Sequence, residues 1–197
     1  MRKIAAFDFD GTLTKKDSFV EFIKFSRGSF RFYINLPFIG VVWYLSKLKL
    51  IKTHYAKEFI FSSFFKGISL IEFDKYCVDF IGEIDKNLRN EAKTVIQSHL
   101  IQHNDVLIVS ASIENWIRPW AMANGINTIV ATKVEIDSSG KLTGKFASEN
   151  CIGKEKVNRL LGVFPDRESY YLTVYGDSNG DKALMSLADK VFRRRLK

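Results

Sequence analysis

Lys3-Ile4-Ala5-Ala6-Phe7-Asp8-Phe9-Asp10-Gly11-Thr12-Leu13-Thr14 is an apolar run that ends in two carboxylates two residues apart, followed at once by a glycine. Alternate residues of a strand share a face, so Asp8 and Asp10 can aim together from the strand end. Asp and Gly are also ordinary turn residues, and a plain strand-end turn is the competing reading. Against it, Asp8 lies between Phe7 and Phe9 in a segment apolar enough to be a buried central strand. An ionised side chain there is costly unless it is paired or bound to a metal. Crowded carboxylates in such a place predict a cation.

The remaining composition fits a globular protein. The 197 residues suffice for one large domain or for a core with a smaller appendage, and 46% of them are hydrophobic. No repeat or low-complexity segment is present. Cys77 and Cys151 stand far apart and in no metal-ligand spacing, which argues against a disulfide framework and for a reducing, cytoplasmic location. Arg2 and Lys3 are followed by an apolar run that Asp8 and Asp10 break at once, so no secretory signal is read. The net charge of +8 favours anionic partners. Part of it sits in the tail Arg193-Arg194-Arg195-Leu196-Lys197, which no nucleic-acid motif accompanies; no nucleic acid is expected.

After Thr14 the pattern turns helical. Phe19, Phe22, Ile23 and Ser26 recur at helical spacing, and Arg27-Gly28-Ser29 can end that helix. The most apolar stretch follows, from Phe30 to Leu45, interrupted by Asn35 and Pro37 and bounded by Arg31 and Lys47. It is too short and too broken for a spanning helix. Burial as core is the favoured reading, with a lipid-facing amphipathic surface over residues 30–50 as the alternative. Residues 53–87 read as further helix, with breaks or close contacts at Gly67 and Gly82. A helix over 87–103 carries His99 and His103 four residues apart. Lacking a third ligand, they read as surface histidines near a helix end rather than a metal pair.

Strand pattern resumes at Asp105–Ser110, closed by Ala111-Ser112, and again at Asn127–Thr132. Residues 133–146 alternate around Asp137-Ser138-Ser139-Gly140, a β-hairpin signal. Gly153-Lys154-Glu155-Lys156 opens a helix, and Tyr170–Tyr175 is a last strong strand, ending in Gly176-Asp177-Ser178-Asn179-Gly180-Asp181. Strands alternating with helices predict an α/β fold with a mainly parallel, Rossmann-like sheet. In such a sheet ligands bind beyond the carboxyl ends of the strands. There Asp8, Asp10, Ser110, Lys154, Asp177 and Asp181 would meet. Four carboxylates, a hydroxyl and a lysine suit a phosphate held by a hard divalent cation, and no Walker loop is present.

The set Asp8-Phe9-Asp10-Gly11-Thr12, Ser110, Lys154 and Gly176–Asp181 resembles the four motifs of the haloacid dehalogenase superfamily, and the helical insertion resembles the cap of its phosphoserine-phosphatase-like branch. The resemblance implies a catalytic core of residues 1–14 and 88–197 with a helical cap of residues 15–87. It implies a Mg²⁺-dependent phosphomonoester hydrolase. Asp8 would be the nucleophile, forming an aspartyl-phosphate, and Asp10 the acid that then activates water. Gly11, Thr12, Ser110, Ala111 and Lys154 would bind the phosphoryl group. Asp8, the Asp10 carbonyl and Asp177 would hold Mg²⁺, with Asp181 as ligand or close support. The acid at Asp10 favours a phosphatase or phosphomutase, since a P-type ATPase of this pattern carries threonine there and a dehalogenase lacks the acid.

The expected substrate is a small phosphorylated metabolite. Asp17 lies where phosphoserine phosphatases place a glutamate that meets the substrate amine, which makes it a candidate for substrate recognition, although an acid at a helix N-terminus also explains it. The Asn179-Gly180 pair departs from the phosphoserine-phosphatase pattern. The Pro37-centred stretch with its lysines resembles the cap of bacterial phosphatidylglycerophosphate phosphatases. That likeness implies contact with the inner face of a membrane. A module that only binds anionic ligands is the non-enzymatic alternative.

Overall fold

The computed structural model describes residues 1–193 and residue 196. Arg194, Arg195 and Lys197 of the expected basic tail lie outside the described residues. Strand β1 (Arg2–Phe7) leads through a tight turn to α1 (Ser18–Arg27), α2 (Ser29–Lys47), α3 (Thr53–Phe65), α4 (Leu70–Asp79) and α5 (Ile81–Asn87). Then come α6 (Ala92–Ile101), β2 (Asp105–Ile113), α7 (Glu114–Ala123), β3 (Thr128–Thr132) and the hairpin β4 (Val134–Ile136) and β5 (Leu142–Phe146). The chain continues through α8 (Lys154–Val163), β6 (Tyr170–Gly176), α9 (Lys182–Leu187) and β7 (Lys190–Arg193).

Five strands form a parallel sheet in the order β3-β2-β1-β6-β7, so the opening stretch of the sequence is its central strand. Both faces of β1 are covered. Ala5 and Phe7 face an apolar cluster shared with α1–α7, while Ile4 and Ala6 face a second cluster with Leu160, Leu172, Val174 and Leu184. This is why β1 reads as a continuous apolar run rather than an alternating one.

Helices α1–α5 are joined to the sheet through two neighbouring crossings. Lys15 N–H donates to the Asn87 carbonyl at 2.8 Å, and Arg89 N–H to the Leu13 carbonyl at 2.8 Å. Asn87 instead ends α5, the pairing takes Leu88 and Arg89 out of the helix expected from residue 87, and α6 starts only at Ala92.

Four other expectations are corrected. Pro37 does not interrupt the apolar stretch, because α2 runs through it; Tyr33 and Pro37 are both on the exposed side, where the carbonyl left without a partner can be hydrated. The stretch is not wholly core either, since only Phe32, Ile39, Val42 and Ser46 of α2 are buried. Residues 53–87 form three helices. Gly67 separates two of them with φ of +84°, whereas Gly82 lies within α5 with open space around it. The start of the expected tail is instead edge strand β7, with Phe192 stacked on Tyr175 at 4.7 Å.

Phe22 is the hub of the aromatic packing. It lies within 4.6 Å of Trp116, 5.1 Å of Phe80, 5.5 Å of Phe73 and 5.6 Å of Phe65, between ring centroids, and is fully buried. Phe22→Ala is expected to lower unfolding free energy by about 3–5 kcal/mol in denaturant titration, the usual range for a buried phenylalanine. The exposed Ile71→Ala control should move it by less than about 0.5 kcal/mol.

Candidate active site

At the carboxyl edge of the sheet, β1 ends at Phe7, and Asp8 N–H donates to the Tyr175 carbonyl of the neighbouring strand at 2.9 Å. The chain then turns tightly, with Thr14 N–H bonded to the Phe9 carbonyl at 3.0 Å. Phe9 points the other way from the aspartates, into the apolar cluster against Trp120. Gly11 has φ of +80°, and a Cβ there would meet Asp177 Cγ at 2.8 Å. The turn therefore needs glycine for both conformation and space.

Lys156 of α8 is almost wholly buried at 2% exposure, and its Nζ donates to Asp8 Oδ1 at 2.5 Å and to Asp181 Oδ1 at 2.6 Å. Asp8 Oδ2 accepts from Thr12 Oγ1 at 3.1 Å. Asp181 Oδ2 accepts from Ser178 N–H at 3.0 Å and Ser178 Oγ at 2.9 Å. Carboxylate oxygens of Asp8, Asp177 and Asp181 lie within 4.8 Å of one another, an all-oxygen donor set of the kind Mg²⁺ prefers.

Burial disfavours the Lys156 ammonium, but Asp8 and Asp181 overcome that and hold its pKa above the ordinary value. Burial also pushes Asp8 up to about 7: Lys156 opposes the shift, and the charges of Asp181 and Asp10 add to it. Asp181 is likewise penalised by burial, yet Lys156 and the Ser178 donors bring it below the usual carboxylate range.

Asp10 is held by a different set. Its Oδ1 accepts Ser18 N–H at 2.7 Å, and its Oδ2 accepts the Ser112 hydroxyl. The Ser112 and Ser18 hydroxyls lie 2.9 Å apart, and Trp116 Nε1 donates to Ser18 Oγ at 3.1 Å. Ser112 gives its one hydroxyl proton to Asp10, so Ser18 must donate to Ser112 and accept from Trp116, and the chain of donors runs one way to Asp10. Burial, reinforced by the charge of Asp17, raises Asp10 to about 6.

A cavity of about 210 Å³ is lined by Asp8, Asp10, Asp17, Lys57, Ser110, Ala111, Ile152, Lys156, Asp177 and Asp181, among others. Ser110 and Ala111 lie where β2 loses its register with β3, between Val109 and Ile113, an irregularity of the bulge kind. Gly11 and Thr12 stand behind the lining: the Gly11 carbonyl accepts Arg89, and Thr12 accompanies Asp8. Asp17 lines the cavity and also caps α1 through Phe19 N–H at 2.9 Å.

Lys154 is not in this site. It is exposed at the first position of α8, and Lys156 occupies the place expected for it. The signal was the buried stripe of the helix, Lys156, Leu160 and Phe164 at intervals of four, which Lys154 does not share. Lys57 was also missed. It lies on the buried stripe of α3 with Ile60, Phe61 and Phe64, and its Nζ donates to the Ala111 carbonyl at 2.6 Å. His99 accepts from Asn104 at 2.9 Å and lies 2.9 Å from the Tyr175 hydroxyl, a structural role away from the carboxylates.

A model of the haloacid dehalogenase-like hydrolase family matches residues 5–186. The chain belongs to this family. The hydrolase is 32% identical over 193 residues to protein CicA of Caulobacter vibrioides, covering 95% of this chain and 83% of that protein. In fold it is similar to the crystal structure of a protein of unknown function from Bordetella pertussis Tohama I, with a TM-score of 0.82, 22% identity, and 97% and 89% of the two chains covered. It is also similar to a substrate-bound phosphoserine phosphatase complex, with a TM-score of 0.64, 14% identity, and 98% and 86% covered.

Replacing Lys156 leaves Asp8 and Asp181 buried without their counter-charge, so the carboxylates titrate above their unfolded values and stability is lost as pH rises through those folded pKa values. Lys156→Met is expected to destabilise the hydrolase by about 3–5 kcal/mol at pH 8, and by clearly less at pH 5, where the carboxylates are protonated. Denaturant titration at the two pH values checks both the size and the sign.

Proposed function

We propose that this hydrolase cleaves phosphomonoesters of small metabolites, with Mg²⁺, through an aspartyl-phosphate on Asp8. The observation that carries the reading is the Lys156-bridged Asp8 on the floor of the cavity, with the separately held Asp10 beside it. Five carboxylates but only two lysines line the cavity, Asp8, Asp10, Asp17, Asp177 and Asp181 against Lys57 and Lys156. A dianionic phosphoryl group would be repelled there without a further cation. Asp8, Asp177 and the Asp10 carbonyl are the groups to hold Mg²⁺. Both oxygens of Asp181 are already engaged, by Lys156 and by the Ser178 donors, which suits it to support rather than ligation. Bound Mg²⁺ supplies charge neutralisation and orients the phosphoryl oxygens.

In the first half-reaction an Asp8 oxygen forms the bond to phosphorus while the ester P–O bond breaks, and Asp10 gives its proton to the departing oxygen. In the second, Asp10 takes a proton from water as that water attacks phosphorus, which returns Asp8 and releases phosphate. A pKa near 6 suits a group that must both give and take a proton near neutrality. The Ser110 hydroxyl and Lys156 offset charge on the phosphoryl oxygens. Helices α1–α5 form the cap in this reading, and Asp17 and Lys57 are its polar residues facing the leaving group.

The test is a Mg²⁺-supplemented panel of aryl phosphate, phosphoserine, sugar phosphates, nucleotides and phosphatidylglycerophosphate, run with wild type and Asp8→Asn. Hydrolysis by wild type alone, abolished by EDTA, is expected. Equal inactivity of both proteins on every ester overturns the reading. Ser112 acts in this scheme as a positioning residue for Asp10. Ser112→Ala is expected to lower kcat on an alkyl phosphate by about tenfold or more, a fraction of the usual worth of a general acid. Aryl phosphates with good leaving groups should be nearly unaffected, KM should hold, and Ser112→Thr should restore the rate.

A further inference from the structure

Helix α2 is apolar on all sides yet has a protein partner on one side only. A helix of that composition is ordinarily enclosed by apolar surroundings. Its buried stripe is Phe32, Ile39, Val42 and Ser46. At 100° per residue the opposite stripe is Phe30, Ile34, Pro37, Val41 and Tyr44, continued by Leu48 just past the helix. That stripe faces outward: Phe30 is 80% exposed, Ile34 62%, Val41 57% and Tyr44 62%. Exposed Phe38 packs on exposed Phe59 of α3, with centroids 5.1 Å apart, and widens the surface. Contiguous apolar surface of this extent marks an interaction site.

Charge says what covers it. Between Glu21 and Glu58 the chain has no acidic residue. Arg31 near one end of α2, and Lys47, Lys49 and Lys52 at the other, are all exposed. We infer that the outer face of α2 and the α2–α3 turn rest on the surface of an anionic lipid bilayer. A second copy of the chain docked symmetrically on this face would set these cations against one another. Anionic headgroups attract them while the apolar stripe enters the acyl boundary.

Depth is limited by the backbone. Among the described residues no helix is long and apolar enough to cross a membrane. Pro37 leaves the Tyr33 carbonyl without its helical donor, a group that needs water. The helix therefore lies at headgroup level. The inference stands apart from the proposed reaction, because vesicle binding is read without substrate and can fail while phosphatase activity persists, or the reverse.

Flotation with vesicles of phosphatidylcholine plus phosphatidylglycerol, compared with phosphatidylcholine alone, tests it. Wild type should float with the anionic vesicles, and high salt should weaken the binding. Ile34→Ser combined with Val41→Ser, and separately Lys47→Glu combined with Lys49→Glu, should each lower the affinity by about tenfold or more, with unchanged thermal unfolding. Wild type that fails to float at low salt overturns the inference. So does binding that both double variants retain, and so does a wild-type dimer that the serine variant dissociates without any vesicle binding.

Discussion

The Lys156 ammonium between Asp8 and Asp181 is the constraint on which the site depends. Three charges taken out of water cost several kcal/mol each and are tolerable only when the geometry is tight and the other lone pairs are satisfied. The fold meets both demands from separate directions. Asp8 is fixed by β1, whose amide is tied to β6 at Tyr175, and Asp181 follows the end of that same β6, so two neighbouring strands set the carboxylate separation. The buried stripe of α8 delivers the lysine. Ser178 satisfies the far oxygen of Asp181 and Thr12 that of Asp8. Lysine suits the position because it is a compact point charge that joins two acceptors without covering the open side of Asp8.

Elements that depend on sequence neighbours are legible in the sequence. The apolar run ending in Asp8 and Asp10, the hairpin around Asp137–Gly140, and the strand ending at Gly176 each depend on neighbours in sequence, and each stands where the pattern put it. The failures concern choices that only packing makes. Lys154 and Lys156 are equivalent by motif spacing, and the difference is which side of α8 meets the sheet. Lys57 looks like one charged residue among many in α3 until its apolar neighbours at Ile60, Phe61 and Phe64 are seen to share its face. Ser112 acquires its role from the bulge in β2, and no rule of periodicity forecasts a bulge. β7 is short, edge-placed and polar enough to pass for a tail, and it is held by pairing to β6 rather than by its own pattern.

The apolar stretch after Gly28 shows why a composition argument alone stalls. Aromatic residues at helical spacing mean core if the helix is enclosed, and surface if it is not; the sequence is the same in both cases. The structure divides α2 into two opposite stripes, one in the common cluster that holds Phe22 and the other largely exposed. The charges decide between coverings because they are arranged around the outer stripe and not within it.

The donors to Asp10 link the helical insertion to the carboxylate cluster. Ser18 is the first residue of α1, and its amide and hydroxyl both serve the Asp10 carboxylate, one directly and one through Ser112. Any displacement of α1 from the sheet withdraws a donor from Asp10 and admits water, and the two act in opposite directions on its acidity. Losing the amide disfavours the carboxylate, whereas hydration favours it. At the base of the insertion residues 13–15 and 87–89 are bonded to each other, close to Gly11, whose carbonyl is held by Arg89. The seating of α1 and the hydrogen bonding of Asp10 therefore go together. With α1 in place, Asp10 is half-buried at the cavity and held by Ser18 and Ser112, with its pKa raised to about 6; without those donors it would be one more carboxylate in a crowded cluster of negative charge.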